Sequence, residues 1–242
     1  SYFDNSPLAS SGLPSKNELE LLNVWKDEIP AEVFTETFTP PITDGSGNDR
    51  KNLLKAKEIL EKEGWFVEDG KLVKDGKEFK FEFLIVSPSD EKIALAYQSN
   101  LKKLGITMDV RTVDSSQYQE RLLSYDFDMI KRYWGVSLSP GNEQQFYWGS
   151  EVGQKDGSRN YPGINSPAVD ALIEKLISAT NREELTTAIH ALDRVLLWGH
   201  YVVPLYHSNK DRIAYWDFFE YPDEIPLYGI VIESWWINKD KQ

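Results

Sequence analysis

Cysteine is absent from this chain, histidine occurs three times, and no apolar run approaches the ~18–20 residues needed to span a bilayer. Without cysteine, disulfides, thiolate metal sites and cysteine nucleophiles are excluded. The absence is compatible with an oxidising compartment without proving one. The histidines show no HExxH-type spacing, and no GxSxG or Ser-His-Asp pattern is present for them to serve. His190 is expected on a helix face, His200 just past a helix end, and His207 in the following strand. Basic residues are also in deficit: 27 Lys and Arg against 39 Asp and Glu leave a net charge of −12. Nucleic acid is therefore not an expected partner, because its phosphates would be repelled. Internal repeats and low-complexity tracts are missing too.

What is present suffices for a core: 242 residues, 40% of them hydrophobic, enough for one large domain or a domain plus part of a second. Residues 1–15 (SYFDNSPLASSGLPS) lack periodicity and read as an extended lead-in. Ser15 and Glu18 have capping-box spacing ahead of a short helix. After a Pro- and Gly-bearing loop over 30–48, Asn48 or Asp49 caps an amphipathic helix that ends at Gly64. Two Asp-Gly pairs, Asp69-Gly70 and Asp75-Gly76, separate short apolar runs and predict a small β-meander with type I′ turns. Its last strand, 79–86, alternates Phe79, Phe81 and Phe83 on one face.

Then follow a helix over 91–104, a strand over 106–113, a short helix over 115–123 and a strand over 127–133. This is the βαβ rhythm of a mainly parallel sheet. Two long helices are expected over 167–179 and 182–199, the second capped by Asn181. Residues 201–237 are aromatic and strand-like, broken by Pro204, Pro222 and Pro226.

Candidate chemistry is sparse. Residues 44–55 (DGSGNDRKNLLK) mimic a calcium loop, but Asp49 stands where the sharp turn needs Gly and Lys55 where a bidentate Glu belongs. They read instead as a turn and a helix cap. Asp126 and Asp128 share one face of a strand and could be offered as a hydrolase pair, although a polar strand edge explains them more simply. Eight Trp and twelve Tyr suit stacking on sugars or peptides, or a buried inter-domain face. Arg159 and Asn160 lie in a second polar loop, GSRNYPGINSP. They offer a cation and an amide to a ligand, or simply build the loop.

The most informative stretch is 127–142, FDMIKRYWGVSLSPGN. A strand ends at Trp134-Gly135 and opens into Ser, Pro, Gly and Asn, where an α/β domain presents side chains and free backbone groups to ligands. From these residues alone, Trp134 is either a ligand wall or ordinary core.

The order FDMIKRYWG, a small-polar loop, SRNYPGINSPAVDALIEKL and ALDRVLLWGHYVVPLYH resembles the solute-binding proteins of family 5, the oligopeptide type serving ABC importers. SLSPGNEQ and AKEILEKEGWFVEDGKLV look like the YejA-like branch, associated with microcin C and other peptides. The resemblance covers essentially the whole chain. It implies the C-terminal lobe of a type II periplasmic binding protein: α/β, with a mixed, mainly parallel sheet flanked by helices and a small β-meander. Residues 1–14 would be an extended lead-in from a missing N-terminal lobe and 15–200 the C-terminal lobe. Residues 201–242 would return toward the hinge and first lobe. Ser1 in place of Met, with no leader pattern, fits either a processed chain or an internal piece.

The implied function is non-catalytic binding of an extended peptide or peptide-like ligand, periplasmic, with ABC permease subunits as partners and no cofactor or metal. A sugar-binding or sensing protein of the same fold is the alternative, and a carbohydrate-active hydrolase the remotest one. By matching positions, the resemblance assigns Trp134, Gly135 and Ser137 to the cleft, with Ser139, Asn142, Arg159, Asn160 and Tyr161 as further candidates. In well-known members an Asp three residues beyond the Trp pairs with the peptide's amino terminus. Ser137 stands there in this chain.

Overall fold

A computed structural model describes residues 1–135, 137–206, 210, 212–226 and 229–241. The chain forms two compact units, Ser1–Tyr201 and Val202–Gln242.

In the first unit, β4 (Lys80–Ile85) is the middle strand of a parallel sheet, between β5 (Thr107–Thr112) and β6 (Met129–Ile130). Its alternation decides what covers it. Phe81, Phe83 and Ile85 face Ala94, Tyr97 and Leu101 of α4 (Pro88–Lys102). Leu84 faces Tyr118 and Leu122 of α5 (Ser115–Leu123). The β4–α4–β5 and β5–α5–β6 crossovers therefore run over opposite faces, the arrangement that opens a crevice at the carboxyl ends of the strands. Mixed α/β architecture with a parallel sheet and small antiparallel sheets is what the residue pattern predicts.

The meander is present as β1 (Phe66–Glu68), β2 (Lys71–Lys74) and β3 (Lys77–Glu78). Both turns have positive φ at Asp69, Gly70, Asp75 and Gly76, as type I′ geometry requires. The strand expected to close the meander does not belong to it. Phe79 N–H still donates to Leu72 O, but Phe79 O accepts from Thr107 N–H, so the chain changes sheets there and continues as β4. Gly105 makes the join possible. It has φ +80°, and a Cβ would meet Leu72 N at 2.8 Å.

Strand β6 is far shorter than the 127–133 expected. Asp128 Oδ2 accepts Glu82 N–H at 2.8 Å, a carboxylate standing where a backbone carbonyl would extend the ladder. Beyond the strand, Lys131 O accepts from the Tyr118 hydroxyl at 3.3 Å.

Helices α1 (Lys16–Leu22), α6 (Glu143–Trp148), α7 (Pro167–Ile177) and α8 (Arg182–Trp198) enclose a second core containing Leu22, Trp148, Leu172, Ile189 and Leu196. The capping box at Ser15 and Glu18 and the Asn181 cap are both formed. Asp49 caps α3 (Arg50–Lys62), while Asp44 Oδ1 accepts Ser46 N–H in the preceding turn. Helix α6 and the single turn α2 (Glu32–Thr35) lie in stretches that read as loop, being too short to show a period.

The opening residues are not extended. They turn back on α8 and bury Phe3 and Leu8 at 1% and 0% exposure. Fully buried Asp193 accepts from Ser1 Oγ, Tyr2 N, Ser10 N and Ser10 Oγ at 2.6–2.9 Å. Arg194 donates to Glu18 and to the carbonyls of Ser11, Gly12 and Leu13.

The second unit departs from its strand-like reading. Among its described residues the strands are β7 (Phe219–Glu220) and β8 (Trp236–Ile237), paired antiparallel. Tyr215, Tyr221 and Trp235 form an aromatic cluster beside them.

Replacing Asp193 by Ala leaves several buried donors of the opening segment without an acceptor. Denaturant unfolding is expected to show a loss of about 3 kcal/mol, with the first exchange-protected amides lost near residues 2 and 10.

Candidate functional site

Where β6 ends, the chain is pinned from several sides. Lys131 pairs with Asp90 in the first turn of α4. Arg182, the first residue of α8, donates from Nη1 to Leu138 O at 2.9 Å. Between these anchors the side chains separate. The Trp134 ring leans on Trp148 of the helical core, centroids 5.0 Å apart at 43°. Its buried Nε1–H has no acceptor among the described residues, whereas the Trp148 indole donates to Gln144 at 2.9 Å. Neighbouring Tyr133 is 87% exposed. Gly135 is exposed, with open space around its missing side chain. Ser137 Oγ accepts Ser139 N–H at 3.1 Å, and Asn142 sits exposed at the start of α6.

The two candidate loops meet through a residue the sequence reading passed over. Arg132, exposed, places its guanidinium carbon 4.9 Å from the Tyr161 ring centroid, and its Nη2 lies 3.4 Å from the Tyr161 hydroxyl. Tyr161 in turn packs among Tyr125 and Phe127. Arg159 is exposed.

Asn160 is a correction. It is 0% exposed. Its amide donates to Gly149 O and Ile164 O, and its Oδ1 accepts Ile164 N–H, at 2.8–2.9 Å. Its donors are spent on the loop, and it has no surface to offer a ligand. Tyr133 was detectable in principle. In an extended strand exit, consecutive aromatics at 133 and 134 must point opposite ways, so only one could face the core.

The acidic pair has separate employment. Asp126 accepts from Arg121 Nε at 2.8 Å, while Arg121 also pairs with Glu82 at 2.9 Å. Asp128 terminates the ladder. His190 meets Pro7 O at 3.0 Å and so holds the opening segment. His200 lies tilted against Phe38 and edge-on to Trp198, and His207 lies outside the described residues. A separate open cleft of about 550 Å3, bordered by Asn17, Glu20, Lys175, Asn181 and Glu183, contains none of the candidate residues.

Residues 24–156, more than half the chain, match bacterial extracellular solute-binding proteins, family 5 middle. The chain is 49% identical over 239 residues to the y4wM protein of Sinorhizobium fredii, covering 98% of this chain and 36% of that one. It is 43% identical over 242 residues to a probable peptide-binding protein, YejA, of Agrobacterium fabrum, covering 99% and 39%. The chain thus spans less than two fifths of the length of these relatives. Among solved structures it resembles the oligopeptide-binding protein AppA of Bacillus subtilis, determined with a nonapeptide. The TM-score is 0.56 and the identity 24%, covering 76% of this chain and 38% of that one. At that identity the likeness concerns the fold.

Asn160→Ala removes three buried hydrogen bonds from the 149–164 loop. Chemical denaturation is expected to register a loss of about 2–3 kcal/mol.

Proposed function

The chain belongs to the bacterial extracellular solute-binding proteins, family 5, a family of binding proteins and not of enzymes, and on that premise we propose that it supplies one wall of a peptide-binding cleft. The ligand is an extended peptide or peptide-like compound, and the whole protein is the periplasmic receptor of an ABC importer. The observation that carries this reading is the strand exit itself: at the carboxyl end of a parallel sheet, Tyr133 is 87% exposed beside Trp134. Next to it lies a loop of small polar residues held in place by Arg182 and Ser137.

Tyr133 offers a face for stacking, and Trp134 sets the floor beneath it. Gly135 has no side chain to keep a ligand's backbone away. Ser137, Ser139 and Asn142 add neutral hydrogen-bonding groups that suit amides. The name of the Agrobacterium relative and the nonapeptide bound to AppA favour peptide over other solutes. A second lobe, contributed by the rest of a longer protein, closes over the ligand and excludes water.

Calorimetric titration of the whole protein against peptide and oligosaccharide panels tests this. Peptides are expected to bind, and Tyr133→Ala or Trp134→Ala to weaken them about tenfold or more. Unchanged affinity in both variants would remove the wall assignment, and heat from oligosaccharides alone would replace peptide with sugar.

A further inference from the structure

Tyr125 has a backbone that its side chain does not suit. It follows α5, and its φ of 55° places it in the left-handed region, where a Cβ crowds the following carbonyl and glycine is the usual occupant. Asn5, Asp69 and Asp75 enter that region with short polar side chains that tolerate it. A bulky ring does not. The helix end itself is well made: Asp126 N–H donates to Arg121 O at 2.9 Å and Tyr125 N–H to Leu122 O at 3.4 Å, the paired bonds of a Schellman cap. Glycine would close it with less strain. The strained conformation persists because its surroundings over-determine it. Arg121 Nε donates to the carbonyl and the carboxylate of Asp126 at 2.8 Å, and Arg121 Nη1 meets Glu82 of β4 at 2.9 Å. The central strand thus fixes the backbone that aims the Tyr125 ring, and the ring reaches the second candidate loop. Its hydroxyl shares a hydrogen bond with Ser158 Oγ, which also accepts Asn160 N–H at 3.3 Å. The ring centroid lies 6.1 Å from that of Tyr161 and 6.0 Å from that of Phe127. Gly157 N–H donates to Leu123 O at 2.8 Å, so the loop is fastened to the end of α5 at Gly157, Ser158 and Tyr161. Between these anchors stand exposed Arg159 and Asn160, whose amide is already bound inside the loop.

We propose that Tyr125 is a positioning residue of the binding wall: it bears backbone strain so that loop 157–161 is held against the strand exit before any ligand arrives. The inference rests on the peptide reading above and adds the residue that holds the second half of its wall. Tyr125 itself need not touch the ligand. Tyr161 is the link, since its ring packs near Tyr125 and its centroid lies 4.9 Å from the Arg132 guanidinium carbon. A loop ordered beforehand loses less conformational entropy on binding, and the affinity is higher for it. A loop released from Tyr125 would have to be ordered by the ligand, so binding weakens without the loss of a ligand contact. This accounts for the residue type as well. Glycine would satisfy the helix end and nothing more, whereas tyrosine also reaches Ser158.

Variants of the whole protein test this by thermal unfolding, amide hydrogen exchange and titration calorimetry. The probes are penta-alanine and its analogues with Lys, Glu or Phe at the centre, and the tightest binder is carried forward. Tyr125→Gly relieves the left-handed backbone while removing ring and hydroxyl. It is expected to keep a melting temperature close to that of the wild type, because relieved strain offsets lost ring contacts, and to bind the peptide about tenfold more weakly. Tyr125→Phe and Ser158→Ala delete one hydrogen bond from its two ends. Each is expected to weaken binding about threefold, and the double variant no further than either alone. Exchange of the Gly157 amide is expected to quicken in every variant without ligand. The hydroxyl pair carries the test by itself if the glycine variant does not fold. A lowered melting temperature with unchanged affinity, or affinity losses that add in the double variant, would overturn the positioning role while Trp134→Ala still reports on the wall. No binding by any of the pentapeptides would overturn the peptide reading and this inference together.

Discussion

Strand β4 is hydrogen-bonded along both edges and buried on both faces, and the layout of the first unit follows from that confinement. A strand covered on both sides needs apolar residues at consecutive positions, and Phe83, Leu84 and Ile85 supply them at 6%, 0% and 1% exposure. Parallel neighbours require long crossovers, so α4 and α5 are placed on opposite faces and every connection leaves the sheet at its carboxyl end. The ends of β4, β5 and β6 therefore share one rim. The candidate site lies on that rim, where loops present backbone groups and side chains beyond the strand ends.

The rim is backed by the helical core through an aromatic contact. Trp134 rests on Trp148, and Trp148 is fixed by Gln144 within α6. Arg182 at the start of α8 ties down the following loop. Helix α8 is itself the organiser of the helical half: Asp193 and Arg194 gather the opening residues, which would otherwise carry unsatisfied backbone groups. The exposed Tyr133 is thus mounted on a stiff support. The cost is visible in the Trp134 indole, whose buried N–H has no acceptor among the described residues, a penalty of about 1–3 kcal/mol for a neutral donor.

Local signals in the sequence were reliable wherever one short segment decided the outcome. The Ser15–Glu18 box, the Asp49 and Asn181 caps and the two Asp-Gly turns all form as read, because each depends on neighbours within a few residues. The alternation in β4 and the βαβ order were legible for the same reason. Errors arose where a distant group intervened. Strand β6 is cut short by Asp128 reaching across to Glu82, β4 is drawn out of the meander by Thr107, and the first residues are folded back by a carboxylate on α8.

The candidate site divides in the same way. The family resemblance, the strand exit at Trp134-Gly135 and the substitution of Ser137 for an acid were all evident from residue order. Order could not say which face Tyr133 and Trp134 would take, that Asn160 would spend its amide inside its own loop, or that Arg132 would settle over Tyr161. The sequence by itself determined caps, turns, strand alternation and family membership, since these are written in spacings shorter than a helix. Only the tertiary structure decided which polar groups remain available to a ligand, because a side chain's freedom depends on whatever distant backbone the fold brings against it.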